Sequence, residues 1–325
     1  MRYALTKDEQ LFDAAEAIKG KAYYCPSCHQ KVLLKKGRSY RPYFAHRCKD
    51  PTLHGEGETG EHLKGKELLE HLFKDYGVQA ATEAYLDKIK QRPDVLVHFS
   101  DNTKPDLAVE FQCAPLSLEK LVKRSRGYQS LGLNFVWFLG HNYRPKKRLT
   151  QQSAQFMRWS KNCGFYLIFL EPFKRRFEII YDIQKADFLP LDYKIFYAYS
   201  IAELKRFFKT VFQIFPHELT TLQIRRQTKA IAKELYYSRG RCFKVQKLLY
   251  QNRASFEEVL EKCLLKTTEL PLYRGNTFWW RALCYVEEKQ LSKKELAKVC
   301  YKLPFIKLRR EVSRDGYYKN KNLQF

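Results

Sequence analysis

A chain of 325 residues is long enough for two or three folded domains. Its hydrophobic content of 45% is enough to form buried cores and excludes global disorder. It has no apolar run of about eighteen residues, and its acid-containing start lacks an apolar core. We therefore expect a cytosolic protein without a membrane span or signal peptide. The net charge of +25 is concentrated after residue 140, where 38 Lys and Arg stand against 17 Asp and Glu. Such a field attracts nucleic acid, and a membrane surface ranks lower because no basic amphipathic anchor is evident.

Residues 1–57 are predicted to form a small zinc-ribbon-like head. Two thiolates on one turn, with a Cys/His pair from a second turn across a hairpin predicted at residues 31–44, suit tetrahedral Zn²⁺. The predicted ligands are Cys25, Cys28, His46 and Cys48, with His54 or His29 as the alternative fourth ligand. A redox CxxC would need a βαβ context, which is absent here, and a metal-free group of reduced cysteines is the remaining alternative.

A central domain is predicted for residues 58–199, after a turn-rich linker. A helix begins at the cap residue Thr59 and ends before Gly77, and extended segments follow at 78–86, 92–99 and 107–113. A helix at 117–131 and a buried strand at 134–140 complete a core of order α-β-β-β-α-β, spanning residues 58–140. Further strand-like runs lie at 165–170, 177–181 and 193–199.

Residues 200–325 are predicted to form a basic, mostly helical domain. Capping-box patterns start at Ser200, Ser255 and Ser292, each with Glu three residues later. The chain as a whole is therefore predicted to be a mixed α/β, multidomain protein.

Two acids on neighbouring predicted strands form the strongest candidate site. Glu110 ends the apolar run 107–109, and an acid there is costly to bury unless it is paired or binds a metal. With Asp94 on the preceding strand it would hold Mg²⁺ or Mn²⁺, whose preferred ligands are hard oxygens. Gln112 shares a strand face with Glu110 and would reach the attacking water.

Two helices add further candidates. Glu61 lies nearly two turns before Leu68, on the side of its helix that packs, although an ordinary N-terminal acid that satisfies the helix dipole is an equal alternative. In the next helix one face carries a cationic and aromatic stripe suited to a phosphate backbone, and a solvated helix face is the alternative. The predicted DNA-binding residues are Arg92, Lys120, Arg124 and Tyr128.

The joint order of these motifs resembles the competence protein CoiA family over about the first 140 residues. The segments that carry the resemblance are Tyr3-Ala4, Cys25-Pro-Ser-Cys28, Phe44-Ala-His46, Gly60-Glu-His62, Gln91-Arg-Pro-Asp-Val95, Ala108-Val-Glu-Phe-Gln-Cys113, Arg126-Gly-Tyr128 and Trp137-Phe-Leu-Gly140.

The resemblance implies a role in natural transformation of Gram-positive bacteria, where incoming single-stranded DNA is handled and recombined. It also implies a core of the PD-(D/E)XK restriction-endonuclease-like type. Asp94 would then be the metal-binding acid, Glu110 the second acid and Glu61 the helix acid. Gln112 stands where the family's pattern has lysine, so it would orient water without bringing charge, unless Lys120 or Arg124 supplies the charge.

Three hypotheses follow. The leading one is a Mg²⁺- or Mn²⁺-dependent DNA nuclease with a structural Zn²⁺. It would act on single-stranded or branched recombination intermediates, alongside recombination proteins, without a membrane or a small-molecule cofactor. The second is a non-catalytic DNA-binding recombination accessory factor with a degenerate nuclease core. The third is an RNA-processing protein, because zinc knuckles and basic helices serve RNA equally.

Overall fold

The computed structural model describes residues 3–26, 29–37, 42–46, 59–100, 104–237, 241–288 and 291–306. These residues form two compact units. The first contains the described residues of Met1–Asn142 together with Leu170–Arg176, and the second contains those of Tyr143–Phe169 and Phe177–Phe325. The predicted mixed α/β class is confirmed.

The first unit begins with a five-stranded antiparallel sheet of order β2-β1-β3-β4-β5. Its strands are β1 (Tyr3–Leu5), β2 (Leu11–Asp13), β3 (Tyr23–Tyr24), β4 (Lys31–Lys35) and β5 (Tyr43–His46). Strands β4 and β5 form the predicted hairpin, with Val32 opposite His46. A small apolar core of Ala4, Tyr23, Val32 and Phe44 covers one side of this sheet.

The predicted α-β-β-β-α-β order is confirmed for the next part of the first unit. The elements are α1 (Gly60–Asp75), β6 (Gln79–Thr82), β7 (Val95–His98), β8 (Leu107–Gln112), α2 (Leu118–Ser130) and β9 (Asn134–Leu139). The hydroxyl of Thr59 accepts a hydrogen bond from the His62 amide, as predicted for the cap of α1. A Cβ added at Gly65 would overlap the ring of Phe111, so a glycine is what lets α1 lie directly against β8.

These four strands lie in the order β9-β8-β7-β6. Neighbours are antiparallel except β8 and β9, which are parallel and are joined through α2. The first two strands are shorter than predicted, because residues between β6 and β7 form a turn in which Glu83 and Lys90 have positive φ. Asp94 consequently lies just before β7 and not within it.

Most of the following elements belong to the second unit. They are α3 (Gln151–Ala154), β10 (Arg158–Ser160), β11 (Gly164–Glu171), β12 (Arg176–Gln184), β13 (Asp192–Ala198), α4 (Ile201–Lys209), α5 (Thr221–Tyr237), α6 (Arg241–Gln251), α7 (Phe256–Cys263), α8 (Phe278–Val286) and α9 (Lys293–Val299). Strand β12 lies between β11 and β13, and β10 pairs with β11. The capping box at Ser292 is confirmed, because each of Ser292 and Glu295 accepts from the amide of the other. At Ser200 the hydroxyl accepts from the Glu203 amide as predicted, but the Glu203 carboxylate accepts from the Tyr199 amide. Ser255 accepts from the Glu257 amide, one residue earlier than predicted.

Helices α5 to α8 enclose a second apolar core, which includes Ile231, Val245, Val259 and Phe278. Arg281 of α8 is also buried, and its Nη2 lies 2.7 Å from the Asp187 carboxylate. Because a buried charge is costly alone, this pairing is what permits an arginine in the helical core. No helix among the described residues is both long and apolar enough to cross a bilayer.

Candidate carboxylate site

Asp94 and Glu110 face one another across the ladder between β7 and β8. Val95 pairs with Val109, so the next antiparallel pair along the ladder places Asp94 opposite Glu110, on one face of the sheet. Strand β8 is central in its sheet and its residues 108–111 are all buried, with Glu110 only 1% exposed. The two predicted acids therefore lie together in a largely desolvated position.

Asp94 is held by donors from two elements. Its Oδ2 accepts a hydrogen bond from the Phe111 amide at 2.7 Å, and His62 Nε2 lies 3.3 Å from each carboxylate oxygen. The His62 ring stacks on Phe111, with centroids 5.9 Å apart. Burial alone would raise the pKa of Asp94, but the nearby charge and hydrogen bond of His62, helped by Lys66 and Arg124, bring that pKa below its usual value.

Glu110 is held by α2. Its Oε1 accepts a hydrogen bond from the Tyr128 hydroxyl and lies 2.7 Å from Arg124 Nη2. Burial raises the pKa of Glu110 strongly, the Arg124 charge opposes this, and the facing Asp94 raises it again, so that the pKa is about 7. A carboxyl with its pKa so far from the ordinary value, next to a second acid, is typical of a functional site.

The predicted cationic stripe of α2 is divided by the fold. Arg124 and Tyr128 turn inward to Glu110, and Tyr128 is fully buried. Arg124 also donates to the backbone carbonyl of Arg92 at 3.1 Å and lies over the Trp137 ring. Of the three residues in the stripe, only Lys120 is exposed. Tyr128 therefore orients the Glu110 carboxylate and presents no free ring to DNA.

Gln112 and Glu61 lie where β8 and the parallel β9 end. Gln112 is half-buried and donates through Nε2 to the Ala114 carbonyl at 2.7 Å. Glu61 accepts from the His141 amide at 3.1 Å, and its other oxygen lies 2.6 Å from His141 Nδ1. A Cβ added at Gly140 would lie 2.9 Å from Cys113 Sγ and 3.2 Å from Glu61 Oε1, so this glycine lets both side chains lie close to the end of β9.

The thiol of Cys113 is affected by the charges of both Glu61 and Asp94. Burial raises the pKa of the Cys113 thiol, and the charges of Glu61 and Asp94 raise it further. His62, His141 and Cys113 were not among the predicted site residues. His62 carried a usable signal, because its spacing of seven from Leu69 places it on the packed side of α1.

A second buried ion pair lies beside the acids. Lys66 Nζ is 2.5 Å from Glu83 Oε1, with both side chains nearly inaccessible, and Arg92 Nη1 lies 3.4 Å from the other Glu83 oxygen. Lys66 is also close enough to lower the pKa of Asp94. Arg92, predicted to contact DNA, therefore has an intramolecular partner and is about one-quarter exposed.

Asp94 and Glu110 suit a divalent ion in ligand type and position, but they supply only two protein ligands. Among the described parts of the chain, no group of three or more His, Cys, Asp or Glu side chains is arranged to hold a metal ion. Mg²⁺ is commonly bound by one or two carboxylates, with water and substrate phosphate completing its octahedron, so a facing Asp/Glu pair is a sufficient protein contribution. The positive charge next to Glu110 in the described arrangement belongs to Arg124.

The predicted zinc knuckle falls only partly on residues that the structure describes. Cys25 is buried, and its amide and carbonyl close a turn with Gln30 and His29 at 2.8 Å each. Pairing of Tyr24 with Lys31 and of Val32 with His46 puts this turn and the end of β5 at the same end of the sheet. Cys28, Cys48, His54 and the His46 side chain lie outside the described residues.

Comparison with known proteins identifies two regions. Residues 58–212 match the family model "Competence protein CoiA, nuclease-like domain", and residues 8–51 match "Competence protein CoiA, N-terminal domain". The "Competence protein CoiA" of Bacillus subtilis (strain 168) is 29% identical over 181 residues. That similarity covers 55% of this chain and 46%, less than half, of the relative. No solved structure matches the chain. The chain belongs to the competence protein CoiA family and carries its nuclease-like domain.

Proposed function

We propose that this protein is a metal-dependent DNA nuclease that processes incoming DNA during competence, in the cytosol. The observation that carries the proposal is the facing pair of Asp94 and Glu110, buried on one sheet face, with the pKa of Glu110 raised to about 7. The nuclease-like family domain supports the reaction class, and the name of the family supports the biological setting.

Each site residue has a proposed role. Asp94 and Glu110 would hold Mg²⁺ or Mn²⁺, which supplies an activated water and neutralises phosphate charge when bound. Gln112 would orient the attacking water, and Glu61 would bind a second ion or a water. Arg124 already lies 2.7 Å from Glu110, so it is the cation best placed to turn to the phosphate and supply the charge that Gln112 lacks.

Structural Zn²⁺ in the head remains part of the proposal. It is supported by the turn at Cys25 and by the strand register that brings the end of β5 to the same end of the sheet. Metal analysis of the purified protein should find about one zinc per chain, which is the content expected of a single four-ligand site. A Cys28→Ser variant should lose it. A full zinc content in that variant would refute this ligand set.

A second candidate function is a DNA-binding recombination accessory factor without catalysis. Two observations favour it. The Gln112 amide group donates to a backbone carbonyl and not to open space, and Arg124 neutralises Glu110 in the described arrangement. If that ion pair is permanent, the acids would stabilise the fold and bind no metal.

Cleavage assays separate the two functions. Labelled single-stranded, duplex and branched DNA, and a matched single-stranded RNA, would be incubated with Mg²⁺, Mn²⁺ or no added metal. The nuclease proposal predicts metal-dependent DNA cleavage that is lost in Asp94→Asn and Glu110→Gln and kept in Glu119→Gln, whose side chain is exposed on α2. DNA binding without cleavage under every condition would support the accessory factor, and cleavage of RNA alone would contradict both.

A further inference from the structure

Helix α5 presents a continuous cationic and aromatic face to solvent. Gln227 and Ile231 are buried and define its inner side. The residues within about 60° of the opposite direction, at about 100° per residue, are all exposed. They are Leu222, Arg225, Arg226, Lys229, Ala232, Lys233 and Tyr236, and the exposed Tyr237 adjoins them.

Helix α6 repeats this arrangement on a shorter scale. Cys242, Val245 and Leu249 pack into the same apolar core as Ile231 of α5. Phe243, Lys247 and Tyr250 lie within about 60° of one another on the outer side and are exposed. We name the outer faces of α5 and α6 together the aromatic–basic surface.

The aromatic rings of this surface are too exposed to belong to the core of the unit. Tyr236 is 84% exposed and Tyr250 is 88% exposed, while Tyr237 and Phe243 are more than half exposed. The adjacent rings of Tyr236 and Tyr237 contact each other edge to face, at 5.4 Å between centroids. Large exposed rings are unfavourable in water, so four of them on the outer faces of two helices that share one core indicate a surface that is covered by a ligand.

The charge of the surface indicates what kind of ligand covers it. Residues 219–253 contain nine Lys and Arg and a single acid, Glu234. That carboxylate accepts a hydrogen bond from the indole of Trp279, a residue of the helical core, and its single negative charge can balance only one of the nine cations. The cations of the surface therefore create a net positive field that attracts a polyanion.

We propose that the aromatic–basic surface binds single-stranded nucleic acid, with unpaired bases stacked on Tyr236 and Tyr250 and the phosphates held by the lysines and arginines of the same helix faces. Cations interleaved with exposed rings are the arrangement that serves unpaired strands, because every base has a π-face and every linkage a charge. The inference rests on the proposed function only in taking DNA as the ligand.

Two other ligands fit the surface less well. Duplex DNA would use the cations but leaves no base face free for the tyrosines. An acidic membrane would also use the cations, but a helix that lies in a bilayer needs a continuous apolar face, and Leu222 and Ala232 are the two aliphatic residues on the outer face of α5.

The test is equilibrium binding of the full chain, by fluorescence anisotropy without added divalent metal, to a labelled oligothymidylate and to a duplex of equal length. We expect tighter binding of the single strand. Tyr236→Ala/Tyr250→Ala should weaken that binding by about tenfold or more, and the Phe double variant, which keeps both rings, should bind as wild type does. Tyr199→Ala, an exposed tyrosine on another part of the unit, is the matched control.

A second set of variants, in which lysines are replaced by glutamine, tests the contacts with the phosphates separately. Lys229→Gln/Lys233→Gln should lower the slope of log affinity against log salt by about 1.4, because each phosphate that a cation neutralises on a single strand contributes about 0.7 to that slope. Lys209→Gln, at the exposed end of α4, should leave the slope unchanged. Unchanged unfolding midpoints in all variants would show that they are folded, as their exposure leads us to expect.

Three results would overturn the inference: equal affinity for single strand and duplex, unchanged affinity in the alanine double variant, or binding confined to vesicles of anionic lipid. The outcome is distinguishable from that of the cleavage proposal. If the protein cleaves no DNA but the tyrosine variants bind the single strand more weakly, the binding surface is supported and the nuclease proposal is refuted. If cleavage depends on Asp94 but the tyrosine variants bind the single strand as wild type does, the nuclease proposal is supported and the binding surface is refuted.

Discussion

Replacing Glu110 by glutamine should change how the stability of the protein depends on pH. The folded state holds the pKa of Glu110 at about 7, against an ordinary value of 4.5. Between these two values the folded state binds more protons than the unfolded state, so the free energy of unfolding falls as pH rises through this window. The carboxyl therefore contributes its stability below about pH 4.5 and loses it by about pH 7.

The size of this effect follows from the shift. Ionising Glu110 in the folded protein between pH 5 and pH 8 should lower the free energy of unfolding by about 2.5 kcal/mol, at 1.36 kcal/mol per pKa unit. Glutamine cannot ionise, so the stability of Glu110→Gln relative to wild type should rise by about that amount between the two pH values.

Urea unfolding at pH 5 and pH 8, without added metal, measures this difference directly. The exposed Glu119→Gln serves as the control, and its stability relative to wild type should stay within about 0.5 kcal/mol at both pH values. A Glu110→Gln variant whose stability relative to wild type is the same at pH 5 and pH 8 would refute the raised pKa of the buried carboxyl on which the site depends.

Other predictions concern the cations and the reaction. Arg124→Ala should lower the free energy of unfolding at pH 8 by about 3 kcal/mol in urea titrations, because it leaves Glu110 buried without its ion-pair partner, whereas the exposed Arg126→Ala should not. Lys66→Met should cost about 3 kcal/mol by the same measurement, and Lys74→Met, which breaks an exposed helical pair, less than about 0.5 kcal/mol. Metal-dependent cleavage should rise with pH through about 7, as Glu110 loses its proton, and a rate that is flat from pH 6 to 8 would contradict this.

The sequence was sufficient for the order of the elements and for the position of the paired acids. The helical spacing after Thr59 and the apolar run before Glu110 are local signals, and both led to the correct element types. Alternation along β8 placed Glu110 on a defined face, and adjacency of two strands then brought Asp94 to it. Strand ends were less accurate, because the turn with positive φ at Glu83 has no apolar periodicity to predict it.

The partners of the acids could not be predicted in the same way. Spacing showed that Arg124 and Tyr128 share a helix face, but it did not show whether that face meets solvent or the sheet. A buried tyrosine hydroxyl needs a polar partner, and here Glu110 supplies it. The pairing of Lys66 with Glu83 joins a helix to a distant turn, and no local pattern encodes a contact of that kind.

The central claim is that Asp94 and Glu110 hold a divalent ion when the protein works. Electron paramagnetic resonance of free Mn²⁺, recorded while the protein is titrated in the presence of an oligonucleotide, tests this claim most directly. Wild-type protein and Glu119→Gln should remove the free Mn²⁺ signal, whereas Asp94→Asn and Glu110→Gln should leave about one equivalent more of the ion in solution. Equal Mn²⁺ binding by all four proteins would contradict the account.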